Sequence, residues 1–303
     1  MAAAALQYAP TGAPSADAVM ARAASENFPV AARLLAPRHR RALLAVYGFA
    51  RLADELGDDF DGDRLAALDW LADELDRAYA GRARTPLLVS LQSVLVECEL
   101  PREPFARLIE ANRVDQRVSR YESWEQLRAY CELSANPVGE LVLAIFGLRT
   151  PERVRLSNDV CTGLQLAEHL QDVAEDLRNG RIYLPQEDLV RFGCSQDWME
   201  GVRVGANGLT SRDPLMLAPL REAIAFELAR ARRLLSAGAP LVASIQAWRP
   251  KLAIAAFAGG GLAALEQIER AGYEVLGGVP AATPRRRLRC GARVLRRSWS
   301  VTS

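Results

Sequence analysis

Apolar residues recur at three- and four-residue intervals along most of the chain, the period of a helix with one buried face. The pattern predicts helices over 16–35, 38–57, 63–81, 86–99, 102–118, 123–147, 151–179, 213–237 and 240–276. Breakers punctuate them at Pro37, Gly57, Pro86, Pro101, Pro151, Gly180, Pro214 and Pro240. Alternating runs of β-branched residues are scarce, so the fold class expected is all-α. Segment 192–212 is the most loop-like internal stretch, and no linker stands out. The expected organisation is a disordered N-terminal segment over 1–15, one helical domain over 16–278 and an Arg-rich tail over 279–303.

Two acidic pentads sit inside this periodic pattern, Asp54-Glu55-Leu56-Gly57-Asp58 and Asp172-Val173-Ala174-Glu175-Asp176. Each places two aspartates at i and i+4, so both carboxylates leave one face of a helix. Like charges at that spacing weaken a helix by a few tenths of a kcal/mol (about 0.2–0.5). Two occurrences suggest a common ligand. Hard divalent cations such as Mg²⁺ bind carboxylate oxygens, retain water and bridge to phosphate oxygens. Most isolated acid pairs are solvated helix faces, so the flanking residues have to decide.

Before the first pentad, Leu43, Val46, Tyr47 and Ala50 form an apolar stripe. Asp54 follows Tyr47 by seven positions and is expected on the inward side. There a carboxylate needs a cation or hydrogen-bond donors to stay ionised. Arg51 is an anion partner on nearly the same face, or equally an i,i+3 ion-pair partner of Asp54. In the second region Glu168, Asp172 and Asp176 form an i, i+4, i+8 ladder, with Gln165 and His169 alongside. Asn179-Gly180 signals the end of that helix. His169 is either a ligand or a packing residue.

Composition narrows the class. Half of the 303 residues are hydrophobic, enough for one large domain or two at most. A net charge of +1 argues against general nucleic-acid binding. The exception is the tail, with Arg285, Arg286, Arg287, Arg289, Arg293, Arg296 and Arg297 and no acid after Glu274. Such a segment suits an anionic membrane surface, a solvated last helix or a cation for a phosphate site. The five cysteines are scattered without Cys-x-x-Cys spacing, as in a reduced cytoplasmic protein without a zinc site. No basic residue precedes Arg22, so no signal peptide is expected. The uncharged run from Leu252 to Leu265 is too short for a membrane span of about 20 residues. The expected location is the cytoplasm, with the tail as the one candidate for contact with the membrane's inner face.

Gly259-Gly260-Gly261-Leu262-Ala263-Ala264 satisfies Gly-x-Gly-x-x-Ala, but both flanks read as helix. The dinucleotide fingerprint needs a strand before it, so close helix packing is the better account. A nicotinamide cofactor is not supported.

The stretch from Tyr47-Gly48-Phe49-Ala50-Arg51 to Asp58 resembles the first aspartate-rich motif of the squalene/phytoene synthase family. Gln165-Leu166 through Asp172 to Asp176, then Gly180-Arg181-Ile182-Tyr183-Leu184-Pro185, resembles the second. Ser25-Glu26-Asn27-Phe28-Pro29-Val30-Ala31 and Tyr130 through Asn136-Pro137-Val138-Gly139 look most like the bacterial hydroxysqualene synthase branch. The resemblance implies an isoprenoid synthase fold of antiparallel helices around an apolar channel. Asp54, Asp58, Asp172 and Asp176 would hold Mg²⁺ and through it a diphosphate. Arg51 and Tyr183 would contact phosphate oxygens, and Phe28 and Tyr130 would line the reacting end. Ser25, Asn27, Tyr47, Asn136, Gln165 and Glu168 would complete the substrate site.

The implied reaction is ionisation of presqualene diphosphate and capture of the cation by water as hydroxysqualene. The implied neighbours in sequence are a presqualene diphosphate synthase and a flavin-dependent hydroxysqualene dehydroxylase. The chain departs from the family at Glu168, where Asn is usual, and at Gln171, where Arg is common. It also begins the first motif Asp-Glu and continues after Leu276 with Gly277-Gly278. Two alternatives stand beside the lyase: a head-to-head prenyl transferase of the same fold, and a non-catalytic scaffold.

Overall fold

A computed structural model describes residues 9–22, 35–194 and 214–299. Their helices are α1 (Ala16–Arg22), α2 (Pro37–Asp58), α3 (Arg64–Tyr79), α4 (Pro86–Glu97), α5 (Arg102–Asp115), α6 (Trp124–Ser134) and α7 (Asn136–Ile145). They continue with α8 (Pro151–Arg178), α9 (Gln186–Arg191), α10 (Pro214–Ala237), α11 (Pro240–Ala243), α12 (Trp248–Arg270) and α13 (Pro284–Trp299). Among the described residues there is no strand, only an isolated parallel bridge between Arg120 and Ile182. The all-α expectation is met.

Two expected helices divide. The segment 123–147 breaks at Ala135 between α6 and α7, because Pro137 in the first turn of α7 has no N–H to continue the hydrogen bonding of α6. The segment 240–276 breaks into α11 and α12, with Pro250 in the first turn of α12, where its missing N–H costs nothing. The Arg-rich tail contains the sixteen-residue helix α13, in line with the last helix that was one of its readings. The loop expected over 192–212 lies outside the described residues from 195 onward, as does most of segment 1–15.

The described residues form two compact units. The first comprises those up to Arg117 with Glu132–Arg155 and Ala247–Ala253. Helix α2 is its hub, packed by α1, α3, α4, α5 and α7. Leu43, Val46, Phe49, Ala53 and Leu56 form the buried stripe of α2. Phe49 meets Phe105 of α5 edge-on at 5.0 Å. Fully burying each large side chain is worth about 1.5–3 kcal/mol, which makes α2 a rigid platform. Buried acids are paired: Glu140 receives Arg107 at 2.6 Å and Arg149 at 2.7 Å, and Glu74 receives Arg84.

The second unit comprises Val118–Cys131 and the described residues within 156–246 and from Ile254 onward. Here α10 carries Arg230, whose guanidinium bonds Asp188 of α9 at 2.7 Å, pairs with Glu227 and stacks over Trp124. By length and composition α12 could cross a bilayer, but 56% of its apolar window is buried inside the protein. A Cβ on Gly259 would lie 2.4 Å from the Gly291 nitrogen of α13. The glycine run therefore serves close helix packing, as its helical flanks imply.

Candidate functional site

The first acidic set lies at the C-terminal end of α2. At 100° per residue, Tyr47, Arg51, Asp54 and Asp58 fall within about 60° of one another. They form the accessible flank of the helix: Tyr47, Arg51 and Asp54 are half-buried and Asp58 is exposed. Asp54 lies about 20° round the helix from Leu43, at the edge of the buried stripe. Burial raises the Asp54 pKa to about 6, helped by Asp58 and Asp115 and opposed by an Asn112 hydrogen bond and Arg51. Arg51 bonds Glu55 at 3.3 Å, one turn on, and its charge also acts on Asp54. Asn136 is buried at the start of α7, a helix that packs on α2.

Asn112 and Gln116 were missed by sequence reasoning. Asn112 Nδ2 donates to Asp54 Oδ1 at 3.2 Å, and Gln116 Nε2 donates to the Gly57 carbonyl at 2.9 Å. Their signal was faint: two amides one turn apart, the first in register with apolar Leu108.

The second set is built by α8 and the segment after it. Glu168 and Asp172 are exposed and Asp176 is half-buried. Burial and the neighbouring Asp172 charge raise Asp176 to about 7, against the pull of Arg181. Burial also raises Asp172, with Glu175 adding to it. Gly180 takes φ +79°, and the Arg181 N–H returns to the Asp176 carbonyl at 2.8 Å. That turn is the helix end expected from Asn179-Gly180.

Beyond the turn the chain runs alongside 119–122. The Ile182 N–H donates to the Ser119 carbonyl at 2.8 Å, and the Gln186 N–H to the Tyr121 carbonyl at 2.9 Å. This pairing carries Tyr183 into an aromatic cluster. It lies 4.1 Å from His169 and nearly parallel, 5.6 Å from Tyr130 and 5.9 Å from Tyr121. Burial pushes the His169 pKa down to about 3, so its ring is neutral. Gln165 lies 3.4 Å from His169 Nε2. A cleft opens here, lined by His169, Val173, Asp176, Arg181, Tyr183 and Leu184 among others. Tyr121 and Arg181 joined this group unforeseen, because only the pairing of 119–122 with 182–187 reveals Tyr121. Ser25, Asn27 and Phe28 lie outside the described residues.

Both sets suit a hard cation. Each has one half-buried carboxylate, Asp54 or Asp176, raised in pKa by burial and by neighbouring acids whose repulsion a cation would relieve, with an exposed aspartate one turn away. Among the described residues no three His, Cys, Asp or Glu side chains close round a metal by themselves. Mg²⁺ commonly takes one or two carboxylates and fills its shell with water and phosphate oxygens, so a pair of aspartates is the donor set it would use.

The helical fold is that of a class of isoprenoid-diphosphate enzymes. The profile of the squalene/phytoene synthase family matches residues 21–290, and the chain belongs to that family. A hydroxysqualene synthase of Rhodopseudomonas palustris is 38% identical over 229 residues, 74% of this chain and 73% of its own length. A chloroplastic phytoene synthase of an Oncidium hybrid is 33% identical over 182 residues, 57% of this chain and 44% of its own. The crystal structure of squalene synthase HpnC from Alicyclobacillus acidocaldarius superposes with a TM-score of 0.75 at 41% identity, covering 89% of this chain and 99% of that one. A ligand-bound dehydrosqualene synthase, at 22% identity and a TM-score of 0.79, shares the fold.

Proposed function

We propose that this chain converts presqualene diphosphate into hydroxysqualene with release of diphosphate, using Mg²⁺ held by Asp54, Asp58, Asp172 and Asp176. The observation that supports the reading is the adjacency, around a small cleft in the second unit, of Asp176 and Arg181 to the stacked rings of His169 and Tyr183. An anchor for diphosphate beside a wall for a carbocation is what ionisation of an allylic or cyclopropylcarbinyl diphosphate requires. The likeness to hydroxysqualene synthases supports the choice of substrate.

Bound Mg²⁺ supplies neutralisation of the charge that gathers on the departing diphosphate. Arg181 adds a cation beside Asp176, and Arg51 one beside Asp54. The carbon–oxygen bond breaks with its electron pair on the diphosphate, leaving a cyclopropylcarbinyl cation. In this reading Tyr130 and Tyr183 would offer ring electron density to such a cation, and His169, being neutral, would place no positive charge beside it. Ring opening and attack by one water, which then gives up a proton, complete hydroxysqualene. Tyr47, Asn136, Gln165 and Glu168, with Ser25, Asn27 and Phe28, hold the substrate in this reading.

The phytoene synthase relatives favour a second reading, head-to-head condensation of two prenyl diphosphates. Mass spectrometry of reactions with Mg²⁺ and either presqualene or farnesyl diphosphate, without NADPH, separates the two. Hydroxysqualene from presqualene diphosphate is the expected product. Presqualene diphosphate formed from farnesyl diphosphate would move the chain to the condensing reading, and silence with both would leave a scaffold. In the same proposal the protein is cytoplasmic and receives its substrate from a presqualene diphosphate synthase. It passes its product to a flavin-dependent dehydroxylase and touches the inner membrane face through α13.

A further inference from the structure

Helix α5 holds the first acidic set by more than packing. Asn112 is buried, with 6% of its surface exposed. Its Nδ2 donates to Asp54 Oδ1 at 3.2 Å and to the Leu108 carbonyl at 3.1 Å. Both neighbours of that nitrogen are acceptors, which fixes the orientation of the amide and turns Oδ1 toward Gly57. A Cβ on Gly57 would lie 2.3 Å from Asn112 Oδ1, so a side chain there would displace the amide. One turn further along, Gln116 Nε2 donates to the Gly57 carbonyl at 2.9 Å and to the Asn112 carbonyl at 3.0 Å. The side chain of Asp54 and the backbone of Gly57, between Asp54 and Asp58, are thus tied to one neighbouring helix.

We propose that Asn112 is a positioning residue for Asp54, braced by Gln116 and made possible by Gly57, and that it sets the affinity of the first acidic set for a divalent cation. This rests on the reading of Asp54 as a Mg²⁺ ligand. The buried amide nitrogen carries two N–H donors, and the Leu108 carbonyl takes one of them. The second N–H fixes one oxygen of Asp54 and leaves the other to a cation, so less side-chain freedom is lost when the cation binds. The donor is neutral, so it orients the carboxylate without competing for its charge as a lysine or arginine would.

The test is calorimetric titration of Mg²⁺ into the full chain with saturating inorganic pyrophosphate, for wild type, Asn112→Leu, Asn112→Ser, Gln116→Leu and Asp54→Ala. Turnover is followed in parallel across Mg²⁺ concentrations. Asn112→Leu is expected to raise the Mg²⁺ Kd about 10-fold or more. Saturating Mg²⁺ should restore its kcat, which a merely structural defect would not allow. Asn112→Ser should fall between that variant and wild type, and Gln116→Leu should shift Kd in the same direction by less. A folded Asn112→Leu with wild-type Mg²⁺ affinity, or with turnover depressed equally at every Mg²⁺ concentration, would overturn the proposal. Should the leucine variant not fold, unchanged affinity in both the serine and Gln116 variants overturns it instead. Unaltered affinity in Asp54→Ala removes the metal reading itself, a separate failure visible without any Asn112 variant.

Discussion

His169 lies flat against Tyr183, with ring centroids 4.1 Å apart and planes 6° from parallel. Burial keeps this imidazole neutral, with its pKa near 3 against an ordinary 6.5. Between those values the unfolded chain binds a proton that the folded chain refuses. Stability therefore falls as pH drops below about 6.5 and is unaffected by this group above it. At pH 5 the loss from His169 amounts to about 2 kcal/mol. Replacing His169 with Phe keeps a ring on Tyr183 and removes the proton site. Urea melts at pH 7 and pH 5 should show a smaller acid loss in His169→Phe by about that amount. An equal loss in both proteins would mean that the imidazole is charged, and the cation wall would lose a member.

The acids shift the other way. Asp54 and Asp176 stand near 6 and 7, above the ordinary 3.8, so the folded chain without metal holds protons that the unfolded chain has released. Their contribution to stability is present at low pH and is lost as pH rises through 6 to 7. Mg²⁺ competes with those same protons. The rise in melting temperature given by Mg²⁺ with pyrophosphate should be full near pH 8 and small near pH 5.5. Asp54→Asn and Asp176→Asn should each flatten that dependence. At pH 8, Asp54→Ala and Asp172→Ala should each lower kcat/KM by about 100-fold or more, since metal-borne charge neutralisation is worth several kcal/mol. Unchanged turnover in both would defeat the proposal that these acids hold the diphosphate's metal.

Periodicity and punctuation made most of the helices legible, because an amphipathic stripe and a proline are local signals. The breaks near Asn136-Pro137 and before Trp248 were hidden, since apolar residues continue through both. Within the site, Tyr47, Arg51, Asp54 and Asp58 were readable as one stripe because they share one helix. Asn112, Gln116 and Tyr121 were not, because what recruits them is a neighbouring helix or an isolated bridge between distant segments. The bond from Arg51 to Glu55 was not foreseen for a similar reason. Spacing admits both Asp54 and Glu55, and the bond to Glu55 is read only from side-chain geometry.

Gly259 and Gly260 are adjacent in α12 and should respond oppositely to alanine. A Cβ on Gly259 meets the Gly291 nitrogen at 2.4 Å and the Gly291 Cα at 2.6 Å, whereas one on Gly260 meets nothing within 4 Å. Backbone cannot yield as a flexible side chain does, so Gly259→Ala should cost about 1–3 kcal/mol through forced separation of α12 and α13. Gly260→Ala lies in an open helical position and should stabilise by up to about 1 kcal/mol. Thermal melts of the two variants give the comparison. Equal shifts would show that the close approach of these helices is not what the glycines serve.

Helix α13 turns Cys290, Gly291 and Val294 inward and Arg285, Leu288, Arg289, Ala292 and Arg296 outward. Arg289 and Arg293 are engaged by Glu266 at 2.7 and 2.8 Å, which secures the helix to α12. Leu288 is 76% exposed in the middle of the cationic face, where water gives it nothing and a lipid interface would bury it. Each basic residue near an anionic bilayer contributes about 1 kcal/mol, and the effect is screened within a Debye length of about 8 Å in physiological salt. The chain should therefore sediment with vesicles containing phosphatidylglycerol and remain in solution with pure phosphatidylcholine. Raising the salt to about 1 M, where the Debye length shrinks to about 3 Å, should release it. Arg285→Glu with Arg296→Glu should abolish sedimentation, and Leu288→Ser should weaken it less. Turnover of detergent-dispersed substrate should be unchanged in all three, because none of these side chains belongs to either acidic set. Binding that ignores lipid charge, or that survives both arginine reversals, would leave α13 as a solvated last helix.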